Sequence, residues 1–208
     1  MAYESSVLYR AGTEGHTSFR IPAVVRARSG TVPAVAEGRV SSAADRGDID
    51  LVRKRSRDGG RTGGPLQVVA RDQAEPPRWR RYATGPGHAL RLRHGPHVGR
   101  PLVPANPFRH PAGLAGPVCQ GSTLSLPDHG TLLFSGPAHP AARALLTLRA
   151  GRDGGLTRPA AQPVSGLPAA CSDLVRLDRD TVGLLHETGD SSAYSTITFR
   201  RIPVEEPR

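Results

Sequence analysis

Strand-length apolar runs recur along this chain, each bounded by turn residues: 23–25, 32–36, 49–52, 66–70, 132–135, 144–148, 173–177, 181–185 and 194–199. Runs this short cannot build stable helices, and the turn residues between them favour hairpins, so the pattern predicts a β-meander. Leu177-Asp178-Arg179-Asp180-Thr181 reads as one hairpin turn, and Tyr194-Ser195-Thr196-Ile197-Thr198-Phe199 alternates with period two as a half-buried last strand. With 24 glycines and 20 prolines among 208 residues, and aromatics at only 4%, long helices are disfavoured and the core is thinly supplied. One all-β domain over residues 1–208 is expected. Pro33 conflicts locally with this pattern, since inside a strand it removes a ladder hydrogen bond unless an edge lies beside it.

The formal charge is +10, and Lys54 is the one basic residue that is not arginine. The arginines are spread from Arg10 to Arg208 with no block longer than Arg53-Lys54-Arg55 and no interleaved aromatics for base stacking. That distribution describes a solvated surface and argues against a specific nucleic-acid partner. Residues 1–20 carry Glu4, Arg10, Glu14 and His16, and no apolar run reaches bilayer-spanning length, so a cytoplasmic protein without membrane insertion is expected. Cys119 and Cys171 are too few for a disulfide framework and too far apart for a metal knuckle, which is compatible with a reducing compartment. Cys119 reads as a buried strand residue. The histidines, including His88, His94 and His97, follow no metal-ligand spacing, so neither metal nor cofactor is expected.

One internal repeat stands out, Ser56-Arg57-Asp58-Gly59-Gly60-Arg61-Thr62-Gly63 against Gly151-Arg152-Asp153-Gly154-Gly155-Leu156-Thr157-Arg158. In such a turn the Asp and Ser/Thr side chains satisfy backbone amides, and Gly accepts a positive φ. The repeat resembles the Asp-box, Ser-x-Asp-x-Gly-x-Thr-Trp, with Gly63 and Arg158 in place of its Trp and Gly151 in place of its first Ser.

Phe19-Arg20-Ile21-Pro22 is followed by Ala36-Glu37-Gly38-Arg39, then Asp45, Gly47-Asp48-Ile49-Asp50-Leu51 and the first repeat copy. In this order the segments resemble the N-terminal blade of the exo-α-sialidases, which release terminal sialic acids from glycans. The resemblance implies a first blade over about residues 7–70, a middle fragment over 79–106 that includes Trp79 to His88, and C-terminal blades over 117–206. Family material near Arg71 to Arg78 and Pro107 to Gly116 is lacking. A blade takes roughly 40 to 50 residues, so the chain supplies about four where the family has six, an incomplete β-propeller.

Sialic acid carries a carboxylate on its anomeric carbon, and the planar, permanently charged arginine fork suits it. The resemblance assigns that grip to Arg20 and Arg149, a ring-hydroxyl contact to Arg39, and the acid/base role to Asp45. It assigns Glu187 to holding Arg20. The family nucleophile is a tyrosine in Tyr-Ser-Asp-Leu, which here is Cys171-Ser172-Asp173-Leu174, so Cys171 occupies the nucleophile's place. A thiol is shorter than a phenol and stops short of near-attack distance, and the glutamate that pairs with the tyrosine falls in the missing stretch. The expected activity is therefore weak or absent, with a sialylated glycan or free sialic acid as partner. Two alternatives stand beside it: a noncatalytic module for sialic acid or anionic glycans, and an unstable remnant that binds polyanions nonspecifically.

Overall fold

The computed structural model describes residues 3–71, 116–155 and 157–204. The expected middle fragment 79–106, with Trp79 to His88 and the His88, His94 and His97 group, lies outside the described residues. The described part is all-β apart from a short 3-10 turn at Pro127–His129. Among the described residues no helix is long and apolar enough to cross a membrane.

Three four-stranded antiparallel meanders make up the described fold. The first is β2 (Ser18–Val24), β3 (Val32–Arg39), β4 (Ile49–Ser56) and β5 (Gln67–Ala70), paired in that order. The second runs β6 (Ser122–Leu126), β7 (Thr131–Pro137), β8 (Ala144–Gly151) and the first half of β9 (Ala160–Arg176). The second half of β9 then opens the third meander with β10 (Thr181–Thr188) and β11 (Thr196–Pro203), and β1 (Glu4–Arg10) adds its fourth strand from the other end of the chain. β9 changes partner midway: residues up to Pro168 pair with β8, and residues from Ala169 pair with β10.

Burial explains the order of packing. One core gathers Tyr9, Phe19, Val32, Ala34, Ala36, Val52, Leu185, Ile197 and Phe199, between the first and third meanders. Another gathers Leu126, Leu133, Leu146, Leu148, Leu174, Val182, Leu184 and Ile202, between the second and third. In β10, Leu185 faces one core and Leu184 the other, so the third meander lies between its neighbours. The Tyr9 hydroxyl, in the first core, donates to Ala34 O at 2.7 Å and accepts from Lys54 N at 3.0 Å, which satisfies a buried phenol whose pKa burial raises.

Pro33 lies in β3, between two neighbours, yet costs little. β2 pairs with β3 only as far as Val24–Ala34, and Pro33 O still accepts from Val25 N at 3.2 Å, so the missing N–H falls at the frayed end of β2. The 177–181 hairpin turn forms as expected, with Leu177 N donating to Thr181 O at 3.0 Å. Cys119 departs from expectation. It is half-buried and belongs to no strand, lying just before β6.

Both copies of the repeat fold as the same turn, and each joins the third strand of its meander to the fourth. In the first, Asp58 Oδ1 accepts from Arg61 N and Thr62 N at 3.0 Å each, and Ser56 Oγ accepts from Gly60 N at 2.7 Å. In the second, Thr157 N and Thr157 Oγ1 both donate to Asp153. Hydrogen bonds from Ser56 and Thr62 hold the Asp58 pKa far down, and those from Thr157 lower that of Asp153.

His186 on β10 is fully buried, and Arg200 Nε donates to its Nε2 at 3.2 Å, so the neutral ring carries its proton on Nδ1. Burial, reinforced by the Arg200 charge, lowers its pKa to about 3. In the unfolded chain the ring takes up a proton near pH 6.5, which the native state refuses until about pH 3. Its contribution is therefore whole above about pH 6.5 and is lost on acidification through that window. Denaturant melts at pH 7 and pH 4 should show a smaller stability loss in His186→Gln than in the parent, and equal losses would refute this.

Candidate active site

The loops joining the second and third strands of the three meanders meet at one end of the molecule. Residues 40–48 bring Asp45, residues 138–143 bring Arg143, and residues 189–195 bring Tyr194. The Arg20 guanidinium carbon lies 3.9 Å from the centre of the Tyr194 ring, and that of Arg143 lies 5.7 Å from it. Arg143 also donates to the Tyr194 hydroxyl and to Val118 O, the latter at 3.1 Å.

Arg20 is held by design of the backbone as much as by charge. The β2–β3 register shifts between Arg20 and Ala23, and Ile21 takes a φ of 53°, a conformation a β-branched residue rarely adopts. The freed Ile21 N–H donates to Glu187 Oε1 at 2.8 Å, and Arg20 Nε donates to the same oxygen at 2.8 Å. Glu187 Oε2 accepts from Cys171 N at 3.1 Å. Glu187 itself sits where the β9–β10 register shifts between His186 and Thr188. Two irregularities thus face each other across a fully buried carboxylate. Burial pulls the Arg20 pKa down, but Glu187 outweighs it and the net shift is upward.

Arg39 is also buried, and donates to Glu37 at 3.0 Å, Ala43 O at 2.6 Å and Asp45 Oδ1 at 2.6 Å. The hydrogen bond from Arg39 lowers the Asp45 pKa, and the charges of Arg39, Arg20 and Arg143 act in the same direction. Asp45 is therefore ionised at neutral pH and marks the point where three guanidinium fields overlap.

Arg149 is placed differently. On β8 it pairs with Phe134 and Ala161, burial and then the Arg158 charge lower its pKa, and it makes no ion pair with the described residues. Arg143 joins the cluster instead. A sequence signal for it existed: Asp45 lies one strand upstream of the first repeat copy, and Arg143 lies one strand upstream of the second.

Behind the arginines the Cys171-Ser172-Asp173-Leu174 segment joins the inner strands. Asp173 Oδ2 accepts from Val24 N at 2.8 Å, Asp173 Oδ1 accepts from Ser122 Oγ at 2.7 Å, and Ser172 N donates to Gln120 O at 3.1 Å. One carboxylate thus ties β9 to both β2 and β6. The Ser172–Gln120 hydrogen bond sets Cys171 beside Cys119, and the two thiols interact. That contact, burial and the Glu187 charge push the Cys171 thiol strongly up, so it stays protonated. A cavity of about 1400 Å3 lies elsewhere, against Leu133, Leu148, Val182 and Ile202, and its mostly apolar walls include none of these site residues.

A segment of 43 residues is 56% identical to the exo-alpha-sialidases of Arthroderma benhamiae and Aspergillus fumigatus. It covers 21% of this chain but only 10% and 11% of those relatives. No family model matches the chain. The fold is similar to Hadza microbial sialidase Hz136, with a TM-score of 0.70 at 16% identity over 96% of this chain and 68% of that one. It is also similar to Trypanosoma rangeli sialidase, with a TM-score of 0.58 at 12% identity over 97% of this chain and 60% of the other. The fold is thus β-propeller-like, as in these sialidases. The sequence match and the shared fold make this chain a relative of the sialidase family.

Proposed function

We propose that this chain is a sialidase-like protein that holds the carboxylate of a sialic acid or sialylated glycan and turns it over weakly or not at all. The convergence of Arg20 and Arg143 on the Tyr194 ring, with Arg39 and Asp45 alongside, carries this reading. Trypanosoma rangeli sialidase, whose fold is similar, has been captured with the sugar acid 2,3-difluoro-KDN. In this reading the three meanders are blades of an incomplete propeller, and their equivalent loops supply the sugar site. Arg20, oriented by Glu187, and Arg143 grip the carboxylate, and Arg39 serves a ring hydroxyl. Arg143 takes the place that the sequence resemblance gives to Arg149.

Hydrolysis in this family needs an attacking phenol and an acid that protonates the leaving oxygen. Cys171 offers a protonated, buried thiol that interacts with Cys119. Asp45 is ionised by its arginines and suited to accept a proton rather than give one. Both features disfavour turnover while leaving carboxylate binding intact.

The test pairs a fluorogenic sialoside assay with ligand-observed NMR of sialic acid and glucuronate. We expect no turnover above that of Asp45→Ala. We also expect binding that prefers sialic acid, survives moderate salt and weakens at least about tenfold in both Arg20→Ala and Arg143→Ala. Turnover abolished by Asp45→Ala would overturn the impaired reading. Equal binding of the two acids, or binding that collapses with salt as for a loose polyanion site, would overturn the sugar site.

A further inference from the structure

Cys119 and Cys171 come from segments far apart in the chain, yet the backbone beside them is fixed. Ser172 N donates to Gln120 O at 3.1 Å, Cys171 N donates to the buried Glu187 carboxylate at 3.1 Å, and Arg143 pins Val118 O at 3.1 Å. The Ser172–Gln120 hydrogen bond sets Cys171 and Cys119 on adjoining segments, with Cys119 half-exposed and Cys171 buried. A buried thiol alone is inert, but an accessible one backed by a second thiol is the arrangement of a peroxide-sensing pair. We propose that Cys119 and Cys171 form a redox modification site, in which a hydroperoxide oxidises Cys119 and Cys171 resolves it as a disulfide.

The chemistry balances within the pair and its oxidant. The Cys119 thiolate attacks the peroxide, the O–O bond breaks, and hydroxide leaves to give a sulfenic acid. Oxidation removes the Cys119 thiol and its charge, which hold the Cys171 proton in place; that proton passes to the sulfenic oxygen as the Cys171 sulfur attacks the Cys119 sulfur, the S–O bond breaks, and water departs. Two thiols lose two electrons in total, and hydrogen peroxide becomes two waters. The thiolate is favoured at Cys119: the hydrogen bond from Cys171 lowers its pKa to about 7, and the charges of Arg143 and Arg20 add to this, against burial and Glu187. The attacking sulfur is thus the outer cysteine rather than the one in the nucleophile's place, and the reaction requires no bound sugar.

The test uses the full chain treated with hydrogen peroxide, once folded and once in denaturant, followed by nonreducing peptide mapping. In the folded protein we expect a Cys119–Cys171 linked peptide, a loss of about two mass units reversed by reductant, and linkage at least about tenfold faster than in the unfolded chain, because the fold holds the sulfurs together. In Cys171→Ser, dimedone should label Cys119. In Cys119→Ser, Cys171 should stay unlabelled. Thiols that stay free, linkage no faster in the folded chain, or dimedone labelling of Cys171 in Cys119→Ser would each overturn the proposal. The wild-type comparison needs no variant to fold, and its outcome is independent of whether sialic acid binds.

Discussion

Glu187→Gln should lower the stability of the chain by about 3–5 kcal/mol, read as a fall of roughly 6–20 °C in Tm. The substitution keeps the side chain's size but removes its charge, leaving the Arg20 guanidinium buried without its partner. It also weakens acceptance from Ile21 N and Cys171 N, so strands β2 and β9 both lose a fixed contact to β10. The comparison with an apolar pair sharpens the expectation. Arg20→Met combined with Glu187→Leu should cost less than Glu187→Gln alone, since no buried charge is then stranded. A Gln variant that melts within a degree of the parent would show that the ion pair is not what joins the first and third meanders.

Gly60→Ala should cost about 2–4 kcal/mol. Gly60 has a φ of 93°, and a Cβ there would lie 2.0 Å from the Phe199 ring, which belongs to the core between the first and third meanders. The ring that would have to move is itself buried. Gly154, the equivalent of Gly59 in the second repeat copy, is the informative control. Its φ is 71° and a Cβ would meet nothing within 4 Å, so Gly154→Ala should cost only the conformational penalty of about 1 kcal/mol. Equal melting losses in the two variants would show that the turn's own geometry dominates and that its seat on Phe199 is unimportant.

The legible parts of this protein are those where local pattern and tertiary burial agree. β3, β4, β10 and β11 carry the apolar residues and turn signals that define strands, and the structure places them where the runs fall. β1 and the first half of β9 escaped notice for a shared reason. Glu4–Arg10 is half polar with only Leu8 and Tyr9 buried, and residues 160–163 are exposed, so in both the pairing with a neighbour defines the strand more than an alternating apolar face does. The site divides in the same way. Arg20, Arg39, Asp45 and Glu187 sit in ordered motifs and emerge together. Arg143 has no motif of its own, and the facing of Cys119 toward Cys171 is made by the approach of β6 to β9, which no local spacing records.

The pairing of β1 with β11 sets an order of events during synthesis. β1 leaves the ribosome early, but its partner residues 196–201 are made last among the described strands, so its backbone groups wait for them. At about 5–20 residues per second the wait is roughly 10 to 40 seconds. Throughout it Leu8 and Tyr9, which end in the core between the first and third meanders, have only half of that core to join. Between those two points the nascent chain carries an unpaired β1 edge, the kind of surface that chaperones shield.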